Sequence, residues 1–138
     1  MAQYLLDTKI LSEASSLNGN AQVIAKLNEN AQLAATVAVV MHELLYGCYR
    51  LPVSRRRTAL ERYLTGLLSS SMPVLAYTIE AADWHAHERA RLSQVGRTSP
   101  YVDGQIAAIA AINQLVLVTR NVADFAAFQN LPLENWFA

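Results

Sequence analysis

Only four aspartates occur in the 138 residues, Asp7, Asp83, Asp103 and Asp124, and three of them fall where an apolar run ends or a helix begins. Asp7 closes the run Tyr4-Leu5-Leu6 and is followed by Thr8. Asp103 comes after the loop holding Pro100 and opens a strongly apolar stretch. Asp124 lies five residues past a β-branched run that ends at Thr119. Glu43 joins them, placed in what reads as the first turn of a helix within an otherwise apolar segment. The residue three before it is Val40, so Glu43 lacks the Ser or Thr partner of a capping box. Asp7 alone reads equally as a helix N-cap. Asp83, with Glu80 and His87 around it, reads as solvated surface.

Carboxylates gathered at one place repel one another and need a cation to balance them. An all-oxygen set suits Mg²⁺ or Mn²⁺ better than Zn²⁺. With open coordination positions such a site fits phosphoryl chemistry, with one ion or two. His85 and His87 are two residues apart on a predicted helix and share no face, which argues against a histidine metal site. His42 adjoins Glu43 without any nucleophile to pair with. Arg50, Arg55, Arg56, Arg57 and Arg62 read equally as a solvated helix end or as an RNA contact. Arg97 and Arg120 fall in loops beside the acids, where a phosphate backbone would pass. There is no Gly-rich phosphate loop and no nucleophile-elbow serine.

The elements that must position these acids follow from composition and pattern. The length suits one domain, residues 1–138, and the 53% apolar content supplies a core. Zero formal charge gives no global argument for nucleic-acid binding. The single cysteine, Cys48, excludes a disulfide framework and reads as a packed thiol. No leader pattern and no apolar run of ~18 residues is present, so a soluble, cytoplasmic setting is expected. Strands are expected at Tyr4–Leu6, Ala34–Val40, Met72–Tyr77 and Leu115–Thr119, with an extended piece over Leu131–Phe137. Helices are expected at Ile10–Ser16, Ala21–Leu27, Met41–Leu51, from Ser54 as cap to Leu68, from Thr78 to Val95, and from Asp103 onward. Arg120–Asp124 reads as loop and Phe125–Phe128 as one helical turn. Alternating strands and helices predict an α/β fold with a parallel sheet of four to five strands between helical layers. In such a sheet all carboxyl ends point one way, which gathers Asp7, Glu43 and Asp124 at one edge. Asp103 joins them if its loop lies over that edge.

Assembled, these stretches resemble the PIN-domain family, and within it the VapC-type toxins of bacterial toxin–antitoxin pairs. The resemblance rests on YLLDTKILSE at 4–13, ELLYG at 43–47, DGQIAAIA at 103–110, LVTRNVADF at 117–125 and LPLENW at 131–136. It implies a three-layer α/β/α sandwich and a Mg²⁺- or Mn²⁺-dependent endoribonuclease that cuts structured RNA. Asp7, Glu43 and Asp103 match the family's acidic ligand positions. Asp124 matches a further acidic position, while Asn121 stands where many members carry an aspartate. Thr8, Thr119 and Asn121 match supporting positions. The family also implies homodimerisation and a small antitoxin, in a heterotetramer or larger assembly. The antitoxin's C-terminal tail would cross the acidic cleft and present an arginine.

Two departures stand out. Lys9 replaces the asparagine usual after Asp-Thr, and Val40 replaces a threonine often found three residues before the helix glutamate. An ammonium at position 9 would either pair with the carboxylates or hold a substrate phosphate. That residue motivates a second reading, a catalytically degenerate module that binds RNA or a protein partner without cleavage. A phosphoacceptor receiver-type domain also has aspartates at strand ends, but it needs a lysine after the last strand, where this chain has Arg120.

Overall fold

The computed structural model describes residues 1–138 and contains one five-stranded, all-parallel sheet. The strands are β1 (Tyr4–Leu6), β2 (Ala34–Val37), β3 (Val74–Leu75), β4 (Val116–Val118) and β5 (Leu133–Glu134), in the order β3-β2-β1-β4-β5. β1 is central. Leu5 pairs with Ala35 on one side and Leu117 on the other, and all three are fully buried. Continuous apolar runs of this kind are what a strand covered on both faces requires.

Seven α-helices complete the chain: α1 (Thr8–Glu13), α2 (Ala21–Glu29), α3 (Ala38–Tyr49), α4 (Arg55–Ser69), α5 (Ile79–Gln94), α6 (Tyr101–Ile112) and α7 (Val122–Phe125). α1 to α4 pack among themselves, and α5 to α7 form a second group. The reason lies in the strand order. The chain steps outward from β1 to β3, then crosses back over β1 to β4, and right-handed crossovers place helices from the two directions on opposite faces. The expected three-layer sandwich is the observed fold. No helix is long and apolar enough to cross a membrane.

Several boundaries differ from the sequence reading. Residues 38–40 belong to α3, not to a strand running to Val40. Val40, Met41, Leu44 and Cys48 are buried on one helical face, and an unbroken apolar run does not reveal where strand gives way to helix. Glu43 therefore stands in the second turn of α3, not the first. α3 also stops at Tyr49, two residues short of Leu51, while α1 begins at Thr8 and ends at Glu13. α2 continues to Glu29, and a short 3₁₀ turn, Ala31–Leu33, precedes β2. The third strand shrinks to two residues, and so does the fifth, because each sits at a sheet edge with one partner. α6 starts two residues before Asp103, with Pro100 at its cap position. Asp124 lies in α7, and Phe125 ends that helix rather than starting one. On α4, Leu64 is buried and Leu68 is exposed.

Other local expectations hold. Ser54 Oγ accepts from the Arg57 amide and Thr78 Oγ1 from the Ala81 amide, each capping its helix. Gly96 adopts φ +73° just past α5, a conformation glycine takes without penalty. Cys48 is a fully buried free thiol.

Candidate active site

The strand order creates a crevice between β1 and β4, where chain direction across the sheet reverses. Asp7 stands there, at the carboxyl end of β1. α3 leaves the carboxyl end of β2, so its early turns bring Glu43 to the same edge. α6 must start at that edge to return the chain to the foot of β4, and Asp103 is its third residue. Asp124 follows the end of β4 on α7. All four acids are thus delivered to one edge by topology.

Asp7 is wired on both oxygens. Oδ1 accepts from the Thr8 amide at 2.8 Å, and Oδ2 accepts from the buried Thr119 hydroxyl at 2.9 Å. Thr119 Oγ1 in turn accepts from the Asn121 amide at 3.1 Å, which fixes the loop after β4. Capping and site roles are therefore not alternatives for Asp7. One oxygen serves the start of α1, and each oxygen keeps a further lone pair.

Glu43, Asp103 and Asp124 accept no hydrogen bond and make no ion pair within the protein. The Asp103 carboxyl is pushed up to about 6, chiefly by burial and then by the charges of Asp7, Asp124 and Glu43. Glu43 is also raised, by burial and by Asp7, against opposing pulls from the Thr8 hydroxyl and His42. The Thr8 hydroxyl lies beside Glu43 without a bond of good geometry, so Oγ1 is buried with no partner. Three carboxylates with free oxygens and an orphaned hydroxyl form a hard, oxygen-only donor set. No three acidic, histidine or cysteine side chains stand close enough together to grip a bare ion. A divalent cation held there would have to keep several of its waters, as Mg²⁺ does.

The basic residues are less convergent. Lys9 is exposed and forms no ion pair with any acid. Arg97 is exposed in the loop after α5. Arg120 lies over the Phe137 ring at 4.6 Å. Arg57 is taken up by Glu61 at 2.8 Å and by the Leu51 carbonyl, so it braces the α3–α4 turn. His85 is buried and His87 exposed, on different faces as expected; His87 faces Asp83 at 3.5 Å.

Two features were not foreseen. Thr36 Oγ1 donates to the Leu6 carbonyl at 2.9 Å and ties the end of β2 to the end of β1, next to Asp7. A hydroxyl inside an otherwise apolar strand was the available signal. Second, exposed His42, Tyr46 and Arg50 stack along α3: the rings are 6.4 Å apart and nearly parallel, and the guanidinium sits 5.6 Å over the tyrosine. Their spacing of four residues is visible in the sequence.

Comparison with known proteins gives the same fold. The family model described as PIN domain matches residues 4–130. "Ribonuclease VapC2" of Haemophilus influenzae is 28% identical over 137 residues, covering 99% of both chains. A DNA-bound VapBC structure from Salmonella typhimurium superposes with TM-score 0.82 at 26% identity, covering 99% of both chains. VapBC-5 of Mycobacterium tuberculosis, a member of the VapBC family of toxin-antitoxin systems, gives TM-score 0.69 at 26% identity, covering 98% of both chains.

Proposed function

The chain belongs to the PIN domain family, and we propose that it is a metal-dependent endoribonuclease acting as the toxin of a toxin–antitoxin pair. The observation that carries this reading is the meeting of four acids at the β1–β4 crevice, two of them with raised pKa. The names and assemblies of its relatives support the same class. Asp7, Glu43 and Asp103 would hold Mg²⁺ or Mn²⁺, with Asp124 in support. The cation would lower the pKa of an attacking water and neutralise charge on the scissile phosphate.

The chain's own residues do the positioning. Thr119 and the Thr8 amide hold the Asp7 carboxylate in one orientation, so no reorganisation is needed when charge develops. Asn121 locks the Thr119 hydroxyl through its amide. Lys9, Arg97 and Arg120 are exposed and would meet the phosphates of structured RNA such as tRNA or rRNA. The stacked His42, Tyr46 and Arg50 offer flat faces to unpaired bases.

A small antitoxin completes the reading, its C-terminal tail supplying an arginine to the same carboxylates. Exposed Tyr46, Tyr49, Val53 and Ile79 offer apolar surface for that partner or for a second copy of the chain. The non-catalytic alternative rested on Lys9 neutralising the acids, and Lys9 makes no such pair. The test is incubation of purified protein with total RNA in Mn²⁺ or in EDTA. Cleavage should need Mn²⁺ and fall at least about 100-fold in Asp7→Asn. Equal cleavage by that variant, or cleavage in EDTA, would overturn the proposal.

A further inference from the structure

We propose that His85 and Gly104 form a positioning pair: the buried imidazole, seated against the bare Cα of Gly104, sets how deep α6 lies on α5 and so where Asp103 stands among the other acids. The activity and Mn²⁺ arms of the test below rest on the metal-dependent ribonuclease reading; the amide-shift arm does not.

Gly104 directly follows Asp103 in the first turns of α6. Its backbone has ordinary helical geometry, so no left-handed conformation demands a glycine there. Within a helix glycine is among the poorest residues, and its presence calls for another cause. The cause is contact. A Cβ at position 104 would fall 2.0 Å from His85 Nε2, 2.6 Å from Cδ2 and 2.8 Å from Cε1, inside the space of the ring.

The ring is buried and flanked by two tyrosines. His85 is 3% exposed, and its Nδ1 lies 3.0 Å from the Tyr77 hydroxyl. Tyr101, also on α6, packs against it at 5.0 Å between centroids. α5 and α6 form the most extensive helix pair in the fold, so the contact is part of a long rigid seam. Ordinary contact begins at 3.4 Å, and relieving the overlap therefore takes a movement of about 1.4 Å. Asp103, one residue away on a rigid helix, moves with it. A misplacement of about 1 Å costs on the order of 100-fold in rate.

The test uses the full chain carrying Gly104→Ala, His85→Ala, or both. Gly104→Ala should shift the amide resonances of Asp103, Asp7 and Thr119 and weaken Mn²⁺ binding by about tenfold or more in calorimetric titration. Its kcat on RNA should fall about 100-fold with KM within about twofold. The double variant, in which the methyl enters the space vacated by the imidazole, should return Mn²⁺ affinity and kcat to within about tenfold of wild type. A contact that is only structural would lower the melting temperature and leave the Mn²⁺ affinity of the folded protein unchanged, which overturns the proposal. So does a double variant no better than Gly104→Ala. If Gly104→Ala does not fold, a folded double variant supports the pair and an unfolded one overturns it. If wild type cuts no RNA, the ribonuclease reading fails, and Mn²⁺ affinity with the Asp103 amide shift still decides the pair. If wild type binds no Mn²⁺ either, the amide shifts alone decide: shifts at Asp103 that revert in the double variant support the pair, and their absence overturns it.

Discussion

Asp103→Asn should stabilise the metal-free protein at alkaline pH and not at acid pH. The Asp103 carboxyl sits at about 6 instead of its ordinary 3.8, first because of burial and then because Asp7, Asp124 and Glu43 repel its charged form. Between those values the folded chain holds a proton that the unfolded chain has released. Stability therefore falls as pH rises through that window and stays lower above it. The full interval amounts to about 3 kcal/mol without screening. For a half-exposed carboxylate, solvent and salt leave about 1 kcal/mol of that. Asparagine keeps the shape and cannot ionise, so it removes the cost. At about 2.1 cal/mol/K of unfolding entropy per residue, 1 kcal/mol corresponds to about 3 °C in Tm for a chain of this size.

The assay is thermal unfolding in EDTA at pH 8 and pH 4. The expected result is a gain of about 3 °C for Asp103→Asn at pH 8 and almost none at pH 4, where wild-type Asp103 is already neutral. Adding Mg²⁺ should then reverse the ranking. At tenfold above Kd, a bound ion stabilises the wild type by about 1.4 kcal/mol, and the variant, lacking a ligand, should gain far less. A lower Tm for Asp103→Asn at pH 8 in EDTA would refute the reasoning. It would mean that the charged carboxylate is held by favourable contacts and is not under repulsion.

Thr119→Val removes the hydroxyl that joins Asp7 Oδ2 to the Asn121 amide in a fully buried position. It should lower the urea unfolding free energy by about 1–3 kcal/mol and weaken Mn²⁺ binding. A loss under about 0.5 kcal/mol would show that the bridge does little. Lys9→Asn restores the residue usual in the resembled family at an exposed position without an ion pair. Stability should stay within about 0.5 kcal/mol and Mn²⁺ affinity within about twofold. A tenfold gain in Mn²⁺ affinity would mean that the ammonium does bear on the carboxylates.

The acids were legible in the sequence for a topological reason. A parallel sheet fixes which end of each strand faces the cleft, so Asp7 and the residues after Val37 and Val118 are placed as soon as strand and helix alternate. What the sequence did not carry was the exact junction. Ala38, Val39 and Val40 are as apolar as the strand before them, and burial on a helical face, not β-propensity, decided their state. The error moved Glu43 by about one turn without moving it off the edge, because α3 starts at that edge under either assignment. Asp124 shows the opposite case. Val122–Phe125 is too short for periodicity to mark as helix, and it gains its place from Phe125 buried against the core. The partners of the site were least legible. The family resemblance alone marked Thr119 as a support for the acids, since nothing local to it indicates that its hydroxyl meets a carboxylate 112 residues away, and Gly104 declares its purpose only when His85 is seen beneath it.

Wiring and repulsion divide the site into two parts with different jobs. Asp7 is held on both oxygens and closes off the end of the central strand, so it is the fixed point from which the others are measured. Glu43, Asp103 and Asp124 ride on three separate helices and accept nothing from the protein, which leaves their charge uncompensated. On the proposed reading that imbalance would be met by a cation. A hydrated divalent ion would complete it for phosphoryl chemistry, and an arginine from a partner's tail would complete it without chemistry. On the proposed reading, activation and inhibition are then two fillings of one electrostatic deficit. The two should compete: antitoxin affinity should fall as Mg²⁺ is raised at constant ionic strength. Salt alone, which screens by about 10 Å at 0.1 M, should weaken it less for partly buried carboxylates.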